Sequence, residues 1–350
     1  MLFRVFILTI IFANLAFAKE NTTAFLESGV GAKALGMGNS FTGSWENGDN
    51  FYWNPAAISF SKRREISAMY ASSFLETSYS LLGYTHKLPK DASFGLNWIR
   101  YSINDIPINN SLSEETRDPD DPYSEFQTGN NFSSTQQAYF FTFGKKHKFN
   151  FDLGWLYFNL PIEAAYGFNV KVIRVGTDKL DAEIFDADQK RDDTVDPAIS
   201  YTDLSVTGIG MDLGFLIKLN MNEVVSREDL GYLGIGFNIQ DLNEEELKWS
   251  ANVKDKVERA YLTGFHYVQE LDWVVDKITG TYTRNSRNGG SNHFGGEFQI
   301  KKMFAIRLGS NDGDITYGLG VNFKGFTLDW AFWNHSELEG PHRINLAFQF

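Results

Sequence analysis

The end of the chain alternates apolar and polar side chains, strand after strand, up to an aromatic carboxy-terminal residue. In Arg343-Ile-Asn-Leu-Ala-Phe-Gln-Phe350, Ile344, Leu346, Phe348 and Phe350 fall on one face, and Arg343, Asn345, Ala347 and Gln349 on the other. Phe326, Leu328, Trp330 and Phe332 oppose Thr327, Asp329 and Ala331 in the same way. Tyr317, Leu319, Val321 and Phe323 oppose Gly318, Gly320 and Asn322. Successive strand side chains point to opposite faces, so each segment has one greasy face and one small or polar face. A strand in the wall of a lipid-embedded barrel needs that division, and so does half of a soluble sandwich.

The amino terminus bears on the choice. Residues 1–18 carry one positive charge, Arg4, then an apolar stretch closing on Ala16-Phe17-Ala18. This is the pattern of a secretory signal peptide cleaved after Ala18. The apolar run is shorter than the ~20 residues of a membrane-spanning helix. No second run of that length follows, so membrane residence must take the form of a barrel. The net charge of −12 argues against nucleic acid as a partner, and the absence of cysteine excludes zinc or thiol chemistry through Cys. Aromatic enrichment, with 31 Phe, 15 Tyr and 8 Trp, suits a lipid-facing band with interfacial girdles.

Alternating or β-rich runs bounded by Gly, Asn, Asp or Pro predict fourteen strands. They are 64–74, 77–88, 93–104, 134–145, 162–177, 203–219, 230–241, 257–269, 272–284, 292–301, 303–310, 315–323, 326–333 and 342–350. The number is even, and many lengths lie near the ~9–11 residues that a tilted transmembrane strand requires. Residues 149–160 stay open as an extra strand, part of a neighbour, or a turn.

The connections give an independent test. With both ends in the periplasm, odd-numbered connections face outward, and the long ones obey this: 105–133, 178–202, 242–256, 285–291 and 334–341. The even-numbered 89–92, 270–271, 302 and 324–325 are tight, whereas 146–161 and 220–229 are exceptions; the latter suits a short helical turn. Alternating loop length is the habit of outer-membrane barrels, not of sandwiches. The expected fold is thus an all-β, transmembrane, antiparallel up-and-down barrel of about 14 strands over residues 64–350, behind a segment at 19–63. The acidic connections 105–133 and 178–202 lack the Asp-x-Asp-x-Asp-Gly spacing that would gather oxygens round a Ca²⁺ ion, and read as solvated surface.

Residues 29–58 are the most distinctive stretch. Gly29-x-Gly31-x-x-Ala34 brushes the dinucleotide fingerprint, but no strand precedes it and no βαβ unit surrounds it. Gly-rich backbone packs closely and bends sharply, which suits a segment folded inside a lumen. Asn54-Pro55 reads as a helix start, with Asn as N-cap, leading through a turn at 55–59 to the first strand.

The pattern of Gly31, Ala34, Gly36, Met37 and Gly38, followed by Tyr52, Trp53, Asn54, Pro55 and Ala56, resembles the FadL-like outer-membrane barrels, and within them the PorV/PorQ branch. Phe326-Thr-Leu-Asp-Trp-Ala, then His335-Ser-Glu-Leu and His342-Arg-Ile, is similar to that branch's final hairpin. The resemblance implies fourteen strands in the outer membrane with an amino-terminal hatch, or plug, in the lumen. Ile344, Leu346, Phe348 and Phe350 look like the signal read by the barrel assembly machinery. One departure is Ser44-Trp45-Glu46-Asn47-Gly48-Asp49, where relatives more often carry an Ala-Asp-Asp run.

Six scattered His with no i,i+4 pair, no Cys and no Gly-x-Ser-x-Gly elbow give no catalytic constellation, and the reading is a non-enzyme with no cofactor and no metal. The branch resemblance implies a PorV-like component of a type IX-kind protein secretion or surface-attachment pathway, with secreted cargo proteins and secretion-system subunits as partners. The alternative is a FadL-like channel for passive uptake of long-chain fatty acids or other hydrophobic compounds. Outer-membrane lipid is a partner in both. A soluble β-rich secreted protein is the third reading.

Overall fold

The computed structural model describes residues 23–46, 48–73, 77–109, 127–152, 159–177, 205–225, 230–248, 254–334 and 340–350. The expected signal peptide lies outside them, as do most of the two long acidic connections. The strands are β1 (Glu65–Ser73), β2 (Thr77–Leu88), β3 (Ala92–Asn109), β4 (Gln127–Asp152), β5 (Asn159–Thr177), β6 (Ser205–Asn220), β7 (Tyr232–Gln240), β8 (Glu246–Lys248), β9 (Lys254–Lys256), β10 (Ala260–Glu270), β11 (Val275–Asn285), β12 (Ser291–Ile300), β13 (Phe304–Asn311), β14 (Asp314–Phe323), β15 (Phe326–Asn334) and β16 (His342–Gln349). All but β8 and β9 form one antiparallel up-and-down sheet in chain order, and β1 pairs with β16 to close it. The seam runs from Glu65↔Gln349 to Ser72↔His342, and Arg64 and Phe350 exchange backbone hydrogen bonds of 3.2 and 3.0 Å beyond it. Closure leaves no sheet edge, which is what hydrocarbon demands of a spanning sheet.

The fourteen expected strands are the fourteen of the barrel, with two corrections to their surroundings and one open segment assigned in part. β3 and β4 run well past the expected 93–104 and 134–145, so the connection expected at 105–133 is strand at both ends. Alternation is required only where a strand meets lipid, and ladder pairing continues beyond that edge without it. The open segment 149–160 divides between β4 and β5, with 153–158 outside the described residues. Within the expected connection 242–256, β8 and β9 pair as a small separate sheet. The exception at 220–229 begins with the expected helical turn, α2 (Met221–Val225). One end of the barrel carries the tight turns and the seam's termini; the opposite end carries the long connections.

Side-chain alternation sorts the wall as the sequence requires. Leu319, Ile344 and Leu346 are each about half exposed on the outside, while Asp329, Arg343 and Asn345 are buried inside. Phe323, Phe326 and Phe350 are exposed at the turn end, with Phe326 stacked on Phe348 at 4.3 Å. This is an aromatic girdle at the height of a membrane interface. Leu319→Arg, in the middle of β14, is expected to destabilise the barrel by about 2–4 kcal/mol, and Ile315→Arg near the band's edge by about 0–1 kcal/mol. Urea unfolding in liposomes measures both.

Candidate functional site: the occupied lumen

The amino-terminal segment lies against the inward faces of eight strands, and it does so where those faces have no side chain. A Cβ added to Gly318 of β14 would come within 3.0 Å of the Gly36 Cα, and one on Gly309 of β13 would overlap the Gly38 amide. Gly295 of β12 is covered by Met37, Gly264 of β10 by Thr42 and Gly43, and Gly236 of β7 by the Thr42 carbonyl. Gly214, Gly167 and Gly144 of β6, β5 and β4 are covered by Asn54, Pro55 and Ala56, and Ile58. Several are cross-strand partners of one another: Gly144↔Gly167, Gly167↔Gly214, Gly236↔Gly264 and Gly295↔Gly309. The belt lets one backbone lie directly on another, an approach that any Cβ blocks.

The segment is shaped to follow it. A five-residue helix, α1 (Ala32–Gly36), starts after Gly31 and ends at the turn through Gly38, whose positive φ of 66° a side chain would strain. The Gly38 amide donates to Thr316 Oγ1 at 3.1 Å, and its carbonyl lies 3.1 Å from His293 Nδ1. Asn54 caps the 3-10 turn Pro55–Phe60, its Oδ1 accepting from the Ala56 amide at 3.1 Å. Its Nδ2 donates to the Thr42 and Phe215 carbonyls at 3.0 and 2.9 Å, so one side chain joins cap, segment and wall. Inward amides of the wall hold the carbonyls before it: Asn169 donates to Phe51, Gln240 to Tyr52 and Asn238 to Trp53 at 3.0–3.1 Å. The Trp53 indole donates to the Val30 carbonyl at 3.1 Å. The structure therefore gathers Gly31, Ala34, Gly36, Met37, Gly38, Tyr52, Trp53, Asn54, Pro55 and Ala56, all buried, into one layer. Ile344, Leu346, Phe348 and Phe350 stand on the opposite surface of the wall.

Two charge networks fasten the segment, and neither is anticipated by its own motif. At the turn end, Glu297 accepts from Arg307 Nε at 2.7 Å, and Arg307 Nη1 reaches Asp329 at 2.7 Å. Lys277 bridges Glu297 at 3.2 Å to Glu46 of the segment at 2.8 Å, and Lys33 pairs with the same two carboxylates. Burial pushes the Glu46 carboxyl up, but Lys33 and Lys277 more than offset it and hold the group well below the usual range. At the loop end, Lys171 pairs with Asp212 at 2.9 Å and with Asp241, while Arg287 joins Asp241 at 2.5 Å to Glu27 of the segment at 3.4 Å. The available signal was charge at inward positions of alternating strands, as at Glu297, Arg307 and Asp329. Partner choice needed the fold.

The lumen is two-sided. Toward the loop end, the inward faces of β2–β6 are apolar except for the Lys171–Asp212 pair, with Tyr79, Ile99, Phe140, Ile173, Val175 and Val206 packed against Phe25, Leu26 and Phe51 of the segment. Phe51 meets Phe140 edge-on at 5.2 Å. Across the lumen, β11–β16 present Thr, Glu, Arg, Asp and Asn. A cavity of about 450 Å³ at the loop end is lined by Tyr52, Trp53, Leu262, Arg287, His293 and Trp333 among others. Another of about 350 Å³ lies at the turn end, against Trp45, Glu46 and Phe60.

The closed fourteen-stranded antiparallel barrel is a fold shared with solved hydrocarbon-transporter structures. Among solved structures, the Pseudomonas putida toluene transporter TodX matches with a TM-score of 0.54 at 12% identity, over 91% of this chain and 96% of that one. The Ralstonia pickettii toluene transporter TbuX matches at 0.50 and 12%, over 92% and 98%. The CymD monoaromatic hydrocarbon channel matches at 0.50 and 10%, over 92% and 98%. At these identities the likeness is one of fold. No protein-family profile and no curated protein sequence matches the chain.

Gly236→Val is expected to keep its strand, since β-branched residues suit the pleat, while displacing Thr42 and Gly43. Residues 23–61 should then be cleaved faster by protease, and conductance in planar bilayers should rise. Gly280→Val, whose Cβ meets nothing within 4 Å, should change neither. A second expectation concerns Asp49, which accepts from Ser67 Oγ at 2.7 Å. Burial, with the Glu65 carboxylate beside it, pushes Asp49 up to about 7. An undocked Asp titrates near ~4. Between these values the docked state holds the extra proton, so docking loses stability as pH rises through that window and levels off above it. Protease protection of the segment should fall accordingly, and Asp49→Asn should flatten the dependence.

Proposed function

We propose that the chain is an outer-membrane channel admitting small hydrophobic molecules, the amino-terminal segment being the hatch they must pass. The observation that carries this is the apolar inner wall of β2–β6 near the loop end. A barrel that passes water-soluble solutes gains nothing from burying Tyr79, Ile99, Phe140, Ile173, Val175 and Val206 inside, because its lumen should be polar all round. An apolar solute, by contrast, loses water against such a wall where it displaces Phe25, Leu26 and Phe51 of the hatch. The loop-end cavity of about 450 Å³ lies within the size range of small-molecule sites, and Trp53, Leu262 and Trp333 are its large apolar members in a mostly polar lining. Barrels of like fold include transporters and channels for toluene and other monoaromatic hydrocarbons, which supports the reading. The secretion or surface-attachment role implied by the PorV-like motif gains no such support. Export with cleavage after Ala18 and residence in the outer membrane belong to the same proposal, as does the division into a hatch at 19–63 and a barrel at 64–350.

The test is uptake of radiolabelled toluene, and separately of a labelled long-chain fatty acid, by cells with and without the gene. Faster entry of either on expression, with no gain for a sugar of similar size, is expected. Trp53→Ala should change that rate without altering heat-modifiable migration on a denaturing gel. No change in entry for either probe, together with co-purification of exported proteins sharing a terminal domain, would return the secretion reading to first place.

A further inference from the structure

We propose that the outer face of β2–β5, at the loop end, is a binding site for a phosphorylated anionic membrane lipid. Its headgroup is held by Arg100 and Arg174, and an acyl chain lies in the groove beneath. The ladder registers place Ser80, Arg100, Gln137 and Arg174 in one row across β2, β3, β4 and β5. The row below it is Leu82, Trp98, Tyr139 and Val172. Both rows face outward, since Ile99, Ala138 and Ile173, between them in sequence, are fully buried inside. Only β4 lies between the arginines, which stand two strand spacings apart, about 10 Å.

Three features make the row a receptor for anions. Arg100 and Arg174 are exposed and have no partner among the described residues, whereas the inward-facing Arg287 and Arg307 are each paired with carboxylates. Gln137 Oε1 is already taken by the Trp98 indole at 3.1 Å and the Tyr139 hydroxyl at 2.9 Å, so its amide nitrogen is what the side chain has left to offer. Arg100, Gln137 and Arg174 therefore offer donors only, and guanidinium groups match phosphate oxygens in a fork that a point charge lacks. No carboxylate shares the outward face of β3, β4 or β5 below the bulge at Asp105. In a chain of net charge −12, this is local complementarity and not a general field.

The second half of the site is apolar. Directly below the arginine row, Ile66, Leu82, Tyr84, Leu96, Trp98 and Tyr139 line a groove of about 470 Å³ in the outer wall. Pairing of β2 with β3 is unbroken from Thr77↔Ile103 to Leu88↔Ala92, so the groove is a depression and not a hole. The stacked Trp98 and Tyr139 rings, 6.4 Å apart, stand where headgroup meets chain. Anionic headgroup above and hydrocarbon below is the division of a phospholipid or phosphoglycolipid, and the occupant we assign is one of the leaflet facing the long connections. The inference rests on the membrane reading above but not on conduction, so binding and uptake can fail separately.

The test is native mass spectrometry of the whole barrel in detergent, titrated with diphosphoryl lipid A, and with phosphatidylcholine as the zwitterionic probe. Stoichiometric retention of the diphosphoryl lipid, at least tenfold tighter than phosphatidylcholine, is expected. The double variant Arg100→Gln/Arg174→Gln should lose at least tenfold in affinity, with heat-modifiable migration unchanged. Arg284→Gln, another outward arginine, should bind as the parent does. Equal retention of both lipids, or undiminished binding by the double variant, overturns the proposal. So does displacement by inorganic phosphate at the lipid's own concentration, which would assign the row to a soluble anion.

Discussion

The contact on which the molecule depends is backbone against backbone, between the amino-terminal segment and a belt of inward glycines. Fourteen strands enclose more space than the side chains of the wall alone fill. Here a second piece of chain fills it, and only glycine lets a strand's inner face accept another main chain at about 3 Å. Eight successive barrel strands apart from β11 take part, so the belt fixes the height of the segment as well as its presence. Asn54 completes the arrangement by capping its own turn and holding carbonyls on two other elements.

Buried charge adds specificity to that contact. Taking Lys33, Glu46, Lys277, Glu297, Arg307 and Asp329 out of water is costly, and such networks seldom repay the cost in stability alone. They do discriminate: a segment shifted by one residue would part Glu46 from Lys277 and Lys33 from Glu297, leaving charges of the wall unpaired in the lumen. The apolar wall of β2–β6 and the polar wall of β11–β16 give the lumen a preferred side, and Phe25, Leu26 and Phe51 lie on it. Anchoring, sidedness and the loop-end cavity are thus consequences of where one segment rests.

Much of this is legible in the sequence. The fourteen strands, their order, their outward and inward faces, the tight turns and the Asn54 cap all follow from alternation and local turn chemistry. The lengths of β3 and β4 did not, because beyond the hydrocarbon a strand keeps its pairing while its side chains cease to alternate. In the sequence, Gly144, Gly167, Gly214, Gly236 and Gly309 are isolated small residues with nothing to mark them as a set. Their alignment into a belt depends on registers between strands that a sequence of alternating residues leaves free.

The sequence by itself determined a succession of strands with one greasy face each, which in a membrane must close into a barrel. That outcome follows from local periodicity and from the rule that no backbone polar group stays unpaired in hydrocarbon. Only the tertiary structure decided what the barrel contains and what its rims can hold. The glycine belt, the pairing of Lys277 with Glu46, and the row of Arg100, Gln137 and Arg174 each join residues that are distant in the chain. Such neighbours are set by strand register and by the path of the enclosed segment, which are properties of the closed sheet as a whole.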